Sequence, residues 1–390
     1  MPQRPAMTTS WTWSQVRARR LQRHRLTGRG QGIDCAAVVS AVCGAHAQVM
    51  SAAELSIALR LENVTRTQVR QALRDDLSLI KTFGPRGTVH LLAAADLPMW
   101  TGALSAVPSA SRAPTEFGMT QQQTDGVLAA IGEALSGDAE LTVDELGQHV
   151  VAATGSWAGE LVVPAFNGRW PRWRLAIPAA GHRGQLCFGA ERGRSVTYTS
   201  PSMRVPGFRR GEPGDSLQKL VFQYLAAFGP ASPAQFAQWL AAPRRWAIEL
   251  FEQLSDRLTL VESDGVAVYL PADDADPPVA RPSGLRLLPY FDTYLVGSHP
   301  RGLVFPGTAG SRALSGGQAG TLPVLLINGE VRGIWRSRRS GRRIRFEVEP
   351  FGALSARQHA EVERQVARTA AILEGAPELT IGPINAGHHL

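Results

Sequence analysis

Apolar positions between residues 216 and 270 repeat three times at helical spacing and then alternate as they do in strands. Gly229-Pro230 ends the first predicted helix, and Ser232-Pro233 is typical of an N-cap and first helical residue for the second. A Ser-Asp-Gly turn separates the two strands of a small hairpin. The predicted helices cover 216–228, 232–240 and a stretch from 243, and the strands cover 258–262 and 266–270. Three helices followed by a hairpin is the order of a winged-helix unit.

The same order occurs in two earlier stretches of the chain. Ser51-Ala52-Ala53-Glu54 and Thr142-Val143-Asp144-Glu145 both match the capping-box pattern that opens a helix. Each stretch ends in a predicted hairpin with arginine at its tip, Arg86 in the first and Arg192 and Arg194 in the second. Such a tip is where a DNA backbone phosphate would be met. The predicted helices cover 51–60, 65–76, 120–135 and about 170–180, and the hairpins cover 79–92 and 185–199.

From about residue 281 the pattern changes to short strand-like runs separated by glycine-rich turns. Asn328-Gly329 predicts a tight hairpin turn, and many short strands together suggest a curled sheet or small barrel. The segment 301–320, rich in Gly, Ser and Ala, is predicted to be a mobile loop. The predicted strands cover 285–288, 294–297, 322–327, 331–335 and 344–348, and a helix follows over 355–374.

At 390 residues the chain exceeds one compact core, since a domain takes about 150 residues. We therefore predict an α+β fold of three tandem winged-helix units followed by a C-terminal β-barrel-like domain. The units cover 10–115, 116–212 and 213–280, and the last domain covers 281–390.

The charge balance favours a polyanionic partner, because Lys plus Arg number 41 against 33 Asp plus Glu, a net charge of +8. Only Lys81 and Lys219 are lysines, and arginine makes the bidentate contacts that suit phosphates. A charge that serves solubility, or a codon usage that favours arginine, is the alternative.

The densest basic tract, residues 336–345, holds six arginines in ten residues. It is either a solvated loop without a role or a hairpin tip that holds DNA. Six neighbouring arginines repel one another without an anionic partner, which favours the second interpretation. The candidate DNA contacts in this tract are Arg336, Arg338, Arg339, Arg342 and Arg343.

Several classes of protein are disfavoured. The three cysteines match no metal or disulfide spacing, and their odd number favours a reducing compartment. No phosphate-binding loop, His-Glu-x-x-His or paired Cys-x-x-Cys motif occurs, so neither a metal nor an organic cofactor is expected. The basic segment 1–25 lacks the apolar run of a signal peptide, and no run approaches a membrane span. The cytoplasm is the expected location.

His46 and Gln48 are the candidate catalytic residues in the small, apolar segment 44–48. Residues two apart on an extended segment point the same way, so both polar groups can face one cavity. A lone histidine near a helix end is more often structural, and the spacing alone does not decide between the two.

Four landmarks together identify a family resemblance: residues 86–90 (Arg-Gly-Thr-Val-His), 228–231 (Phe-Gly-Pro-Ala), 288–295 (Leu-Pro-Tyr-Phe-Asp-Thr-Tyr-Leu) and 328–335 (Asn-Gly-Glu-Val-Arg-Gly-Ile-Trp). The chain resembles the AlkZ-type (YcaQ-like) winged-helix DNA glycosylases over nearly its whole length. The resemblance implies three winged helices and a β-barrel wrapped around duplex DNA. It also implies removal of bulky alkylated purines and unhooking of interstrand crosslinks, in some members as self-resistance beside gene clusters for genotoxic natural products.

The family's catalytic Gln-x-Gln or Gln-x-Asp motif aligns with His46-Ala47-Gln48, so this chain departs at the first position and resembles a His-x-Gln subgroup. Our hypothesis is that His46 activates a water that attacks the glycosidic bond of an N7-alkylguanine while Gln48 positions it. No lysine lies in the motif, so a monofunctional glycosylase is expected. The expected partner is double-stranded DNA containing alkylated guanine, bound by a monomer.

Two other functions stay open at the level of the sequence. A transcription regulator would read one operator without releasing a base, although such proteins usually pair a single winged helix with a dimerisation domain. A family member without catalysis would only bind damaged DNA, since His46 replaces the usual glutamine.

Overall fold

The computed structural model describes residues 10–28, 32–108, 118–165 and 168–385. The predicted boundary at 115/116 lies outside these residues. Strand β1 (Ser10–Trp11) leads into helix α1 (Trp13–Arg23), which Thr12 caps through a capping box with Gln15. Among the described helices, none is long and apolar enough to cross a membrane.

The first stretch contains a three-stranded antiparallel sheet in the order β2-β4-β3. The predicted hairpin over 79–92 is confirmed as β3 and β4. The capping box predicted at Ser51 is wrong, because the helix begins one residue earlier and the buried Glu54 carboxylate instead accepts two bonds from Arg70, at 2.7 and 3.0 Å. The elements are α2 (Cys35–Ala41), β2 (Ala45–His46), α3 (Met50–Ala58), α4 (Arg66–Arg74), β3 (Leu79–Phe83), β4 (Val89–Ala93) and α5 (Leu97–Ala106).

In the second stretch the capping box at Thr142 is confirmed, with Glu145 as its partner. The helix predicted around 170–180 is only partly correct: a strand and a 3₁₀ turn (Arg172–Ala176) precede a short α-helix. Pro178 lacks an N–H and its ring would clash with the carbonyl four residues earlier, so it fits only in the first turn of a helix. The α-helix accordingly begins at Ile177, one residue before this proline. The elements are α6 (Gln121–Ala134), β5 (Glu140–Thr142), α7 (Val143–Thr154), β6 (Leu161–Ala165), β7 (Gly168–Pro171), α8 (Ile177–His182), β8 (Cys187–Phe188) and β9 (Thr197–Thr199).

All five elements predicted between residues 216 and 270 are present. Strand β1 adds to their hairpin by pairing in parallel with β10, through Ser10 beside Glu262 and Trp11 beside Ser263, which the sequence did not indicate. The N-terminus therefore completes a sheet that lies some 250 residues further along the chain. The elements are α9 (Pro213–Phe228), α10 (Pro233–Leu240), α11 (Arg244–Gln253), β10 (Leu258–Ser263) and β11 (Val266–Pro271).

The described strands of the C-terminal stretch form an open five-stranded sheet in the order β12-β13-β14-β15-β16, with only the last pair parallel. The β-barrel-like prediction is thus wrong in its closure, because β12 and β16 lie at opposite edges. The tight turn at Asn328-Gly329 is confirmed between β13 and β14. The elements are β12 (Leu285–Leu288), α12 (Thr293–Gly297), α13 (Arg301–Val304), α14 (Thr308–Arg312), β13 (Val324–Ile327), β14 (Glu330–Ser340), β15 (Arg343–Pro350), α15 (Ala356–Ile372) and β16 (Ala376–Ile381).

Two further predictions in this stretch are wrong. Residues 294–297 form a helical turn rather than a strand, because the Asp292 carboxylate accepts the Tyr294 N–H at 3.0 Å and caps it. The segment 301–320, predicted to be a mobile loop, is partly helical. It contains α13 and α14, and Phe305 and Ala309 bury their side chains in an apolar cluster with the neighbouring sheet.

A buried ion pair joins the first stretch to the last. The Arg60 guanidinium donates to both carboxylate oxygens of Asp292, at 2.8 and 2.9 Å, and Ser56 donates to the same carboxylate at 2.7 Å. The side chains of Arg60 and Asp292 are 1% and 0% exposed. Arg60 also donates to the His24 carbonyl at 3.0 Å, so the end of α1 is tied to the same point.

Helix α1 makes a second set of long-range ties through Arg20. This buried guanidinium donates to the main-chain carbonyls of Phe228, Pro230 and His299, at 2.8, 3.1 and 2.6 Å. The third stretch and the C-terminal stretch are therefore held to one N-terminal helix.

We predict that Asp292→Asn lowers the free energy of unfolding by about 3–5 kcal/mol, because it leaves the Arg60 charge buried without its counter-ion. Chemical denaturation followed by circular dichroism measures the change. Arg245→Gln, which breaks the exposed pair with Glu249, serves as the control and is expected to cost less than about 0.5 kcal/mol. Equal, small effects of the two substitutions would contradict this assignment of the buried pair.

Candidate active site

His46 lies on β2 at the edge of the small sheet, opposite His90 of β4, which in turn is opposite Thr82 of β3. The Ala47 N–H donates to the Val89 carbonyl at 2.7 Å, which extends the pairing one residue beyond the strand. Paired residues of neighbouring strands share a face of the sheet. The three side chains at 46, 90 and 82 therefore form one row across the sheet.

The His46 ring is held between two other rings. It stacks on Phe291, with centroids 4.7 Å apart and planes at 26°, and meets His90 edge to face at 5.0 Å. Its Nδ1 atom is buried and has no hydrogen-bond partner among the described residues. Burial, with the nearby Arg86 charge, lowers the pKa of His46 to about 4. The imidazole is thus neutral at pH 7.

The position of His90 is fixed by its own hairpin. Its Nδ1 lies 2.8 Å from the Thr88 carbonyl, so this nitrogen carries the proton. Burial first, and then the neighbouring His46 and Arg86, holds the pKa of His90 well below its usual range. A Cβ at Gly84 would lie 2.7 Å from the His90 ring, so only glycine leaves room for this orientation.

Gln48, two residues after His46, is exposed, whereas His46 is 7% exposed. Of the segment 44–48 that was predicted to be extended, only residues 45 and 46 form a strand, and Gln48 lies in a bend, so the two side chains differ in depth. The structure places one polar group inside a ring cluster and the other at the surface just beyond it.

Sequence reasoning missed Phe291 and His90 as parts of this site. Phe291 adopts a left-handed backbone, φ 52°, immediately before the buried Asp292. Both residues fall inside stretches that carried the family resemblance, which was the only signal for them. Residues 46 and 291 are far apart in the sequence, so helix and strand periodicity cannot predict that they are in contact.

Arg86 does not project from a hairpin tip into solvent as the sequence suggested. It is half-buried, has a left-handed backbone with φ 63°, and donates to the Trp239 carbonyl at 2.6 Å. Burial lowers its pKa to about 10. Its charge is near enough to His46 and His90 to affect both, so it belongs to the surroundings of the site, and contact with DNA stays a prediction.

Both arginines of the second predicted tip, Arg192 and Arg194, are exposed. Arg192 donates to the Glu145 carboxylate at 2.9 and 3.1 Å and to the Glu140 carbonyl at 2.7 Å. Arg192 is therefore engaged with the protein itself, and both DNA contacts stay predictions.

The basic tract 336–345 is the distal part of the β14–β15 hairpin, called here the arginine hairpin. It turns through Gly341-Arg342, with Gly341 at φ 58°. At its base Arg336 pairs with Glu347, and beside its turn Arg343 lies 3.4 Å from Glu378. Its exposed arginines are Arg338, Arg339, Arg342, Arg343 and Arg345, of which the first four are the predicted DNA contacts. The hairpin form of the tract is confirmed, and its contact with DNA stays a prediction.

The chain matches a known family. The model of the family described as "DNA glycosylase AlkZ-like" matches residues 39–372 of the chain. The chain belongs to the AlkZ-like DNA glycosylase family. The predictions of the family and of a DNA glycosylase are therefore confirmed.

A comparison with curated sequences and one with solved structures agree with this assignment. A curated protein of Streptomyces sahachiroi, the "Interstrand DNA cross-link repair glycosylase", is 31% identical over 340 residues, which cover 83% of this chain and 87% of the relative. The solved structure of Streptomyces sahachiroi DNA glycosylase AlkZ superposes with a TM-score of 0.80 at 28% identity, over 96% of this chain and 100% of that one. The mixed α+β fold of this AlkZ-like glycosylase is thus that of a solved family member.

The depressed pKa of His46 predicts how the stability of this AlkZ-like glycosylase depends on pH. The unfolded chain binds a proton on this imidazole near pH 6.5, whereas the folded protein keeps it neutral down to about pH 4. Stability is therefore lost as the pH falls from about 6.5 toward 4, by about 1.4 kcal/mol per pH unit for this group. Denaturant unfolding of wild type and His46→Asn across that window isolates the contribution, and parallel pH profiles would contradict a buried, neutral His46.

Proposed function

We propose that this AlkZ-like glycosylase excises bulky N7-alkylguanine adducts from duplex DNA by water attack on the glycosidic bond. The observation that supports this most directly is the buried, neutral His46 imidazole, held between Phe291 and His90 beside the exposed Gln48. A neutral imidazole at the start of the motif can act as the general base that accepts a proton from the attacking water.

The chemistry of an N7-alkylguanine determines which catalytic groups the protein must provide. Alkylation at N7 gives guanine a positive charge, so the base departs without a strong general acid. The remaining requirement is a water held against an oxocarbenium-like sugar, with stabilisation of its charge. His46 in its neutral form accepts the proton from that water, which is typically worth about 10²–10⁴-fold in rate. Gln48 orients the water through its carbonyl and contacts the sugar.

The absence of lysine from the motif supports a monofunctional reaction, in which water and not an amine attacks the sugar. The expected product is an intact abasic strand. A borohydride-trapped adduct of enzyme and DNA would contradict this assignment.

The rest of the chain serves as a scaffold for one duplex. We assign the stretches 10–115, 116–212 and 213–280 to three winged-helix units, and 281–390 to the sheet domain that carries the arginine hairpin. Exposed arginines on that hairpin and at Arg194 neutralise backbone phosphates. Arg86 lies nearer the chemistry and holds a phosphate beside the lesion. The protein acts as a monomer in the cytoplasm.

The name of the Streptomyces sahachiroi relative, an interstrand cross-link repair glycosylase, extends the proposal to crosslinks. We propose that the same reaction unhooks interstrand crosslinks and that the protein serves DNA repair or self-resistance against a genotoxic natural product.

Replacing His46 by alanine is expected to lower the single-turnover rate of base release from a 7-methylguanine duplex by about 10²–10⁴-fold, because the water loses its base. Gln48→Ala is expected to lower the rate less. His359→Ala, an exposed histidine of α15, is the matched control and is expected to keep the wild-type rate. Full activity of His46→Ala would end the proposed role. Wild-type binding to one specific operator without base release would instead indicate a regulator, and damage-selective binding without release would indicate a binder.

Replacing Arg338, Arg339, Arg342 and Arg343 together by alanine is expected to weaken DNA binding by a similar factor for all sequences. It should also flatten the dependence of log K on log salt, by about 0.9 for each phosphate that the variant no longer neutralises. Fluorescence anisotropy at several salt concentrations measures both. The double variant Arg357→Ala and Arg364→Ala on the exposed face of α15 is the control. An unchanged slope in the hairpin variant would show that the tract is a solvated loop that does not contact DNA.

A further inference from the structure

A cavity of about 380 Å³ lies between helix α3 and the base of the arginine hairpin. Its lining is mainly apolar, with two aromatic rings and two prolines. Of the side chains with hydrogen-bonding or charged groups, Ser51, Ser337 and Arg338 are exposed, whereas Tyr290 and Arg336 are partly buried and Arg336 pairs with Glu347. The main apolar walls are Ala52, Leu55, Pro289, Tyr290, Pro323 and Trp335.

The cavity adjoins the candidate active site. The Tyr290 ring in its wall lies 6.5 Å from the Phe291 ring, which itself stacks on His46 at 4.7 Å. Ser51 follows Gln48 by three residues, in the first turn of α3. One wall thus continues from His46 and Gln48, and the opposite wall is the base of the hairpin predicted to hold DNA.

The walls are fixed in position before any ligand arrives. The Trp335 indole donates to the Leu288 carbonyl at 2.9 Å, and the Phe291 N–H donates to the Gly320 carbonyl at 2.8 Å. The next residue, Asp292, is held by the buried pair with Arg60. A rigid apolar cavity loses little conformational entropy when it binds a flat group.

The buried part of the lining is apolar, and its polar groups lie at exposed positions. A base rotated out of the helix needs hydrogen bonds along its edge, and the buried side chains of Ala52, Leu55 and Pro323 offer none. Aromatic rings and prolines present flat apolar faces, on which planar aromatic groups stack favourably. The volume is near the lower end of the roughly 300–1,000 Å³ of small-molecule pockets, which suits a group of a few fused rings.

We propose that this cavity binds the planar aromatic part of the substituent carried by the alkylated base, while His46 and Gln48 face its glycosidic bond. The proposal rests on the function proposed above and gives its substrate class: lesions whose adduct carries an apolar, planar ring system. The exposed Arg338 at the same wall pairs with a flanking phosphate and orients the duplex.

The test compares two duplexes of one sequence, one with a single 7-methylguanine and one with guanine carrying a fused-ring arylmethyl group at N7. Ser51→Phe and, separately, Ser337→Phe narrow the cavity from opposite walls at exposed positions, so neither depends on repacking the core. Ser255→Phe, exposed at the end of α11 and away from the cavity, is the matched control. Thermal unfolding verifies that each variant is folded.

Each narrowing variant is expected to lower the ratio of kcat/KM for the arylmethyl lesion to that for 7-methylguanine by at least about tenfold, while Ser255→Phe keeps the ratio. A fall in both rates by the same factor, or no fall in either, would overturn the proposal. Release of neither base by the wild type would overturn the proposed function instead. Binding affinity then tests the cavity separately. If the cavity binds the planar substituent, the wild type binds the arylmethyl duplex more tightly than the unmodified one, and Ser51→Phe abolishes this difference. Equal affinities of the wild type for the two duplexes would overturn the proposal.

Discussion

The buried pair between Arg60 and Asp292 is the constraint on which the site depends. Two charges withdrawn from water are stable only with full hydrogen bonding, and here Ser56 and the His24 carbonyl complete it. Asp292 directly follows Phe291, so fixing the carboxylate also fixes the ring that stacks on His46. The ion pair contributes nothing to the chemistry, yet it sets where the imidazole can lie.

Burial of His46 keeps its imidazole neutral even when the negative charge of bound DNA lies nearby. A DNA duplex brings phosphates close to the protein, and nearby anions raise the pKa of an imidazole. Because burial holds the pKa of His46 at about 4 in the free protein, a moderate rise of this pKa on DNA binding still leaves the ring neutral near pH 7. A histidine exposed at the same place would become protonated on binding and lose its capacity as a base.

Local pattern predicted the elements that local interactions decide. The three helices and the hairpin between residues 216 and 270, the capping box at Thr142 and the turn at Asn328-Gly329 all depend on neighbours in sequence. The errors occur where residues outside the local segment determine the structure. The Glu54 carboxylate bonds to Arg70 on the next helix instead of capping its own helix. The C-terminal sheet, predicted to be barrel-like, has an open strand order. In the site, His46 and Gln48 were candidates from their spacing, and the resemblance gave them a catalytic role. The rings that hold His46 come from residues 90 and 291, beyond any local periodicity.

The ties of helix α1 have a consequence for how the chain is made. Arg20 bonds a carbonyl 279 residues further along, and Arg17 bonds one 311 residues further along. A ribosome adds about 5–20 residues per second, so this helix waits roughly 15–60 s before its last partners have been synthesised. During that interval its apolar face, including Val16 and Leu21, is uncovered. Chaperone binding to the nascent chain would protect this face until the C-terminal sheet emerges and closes over it.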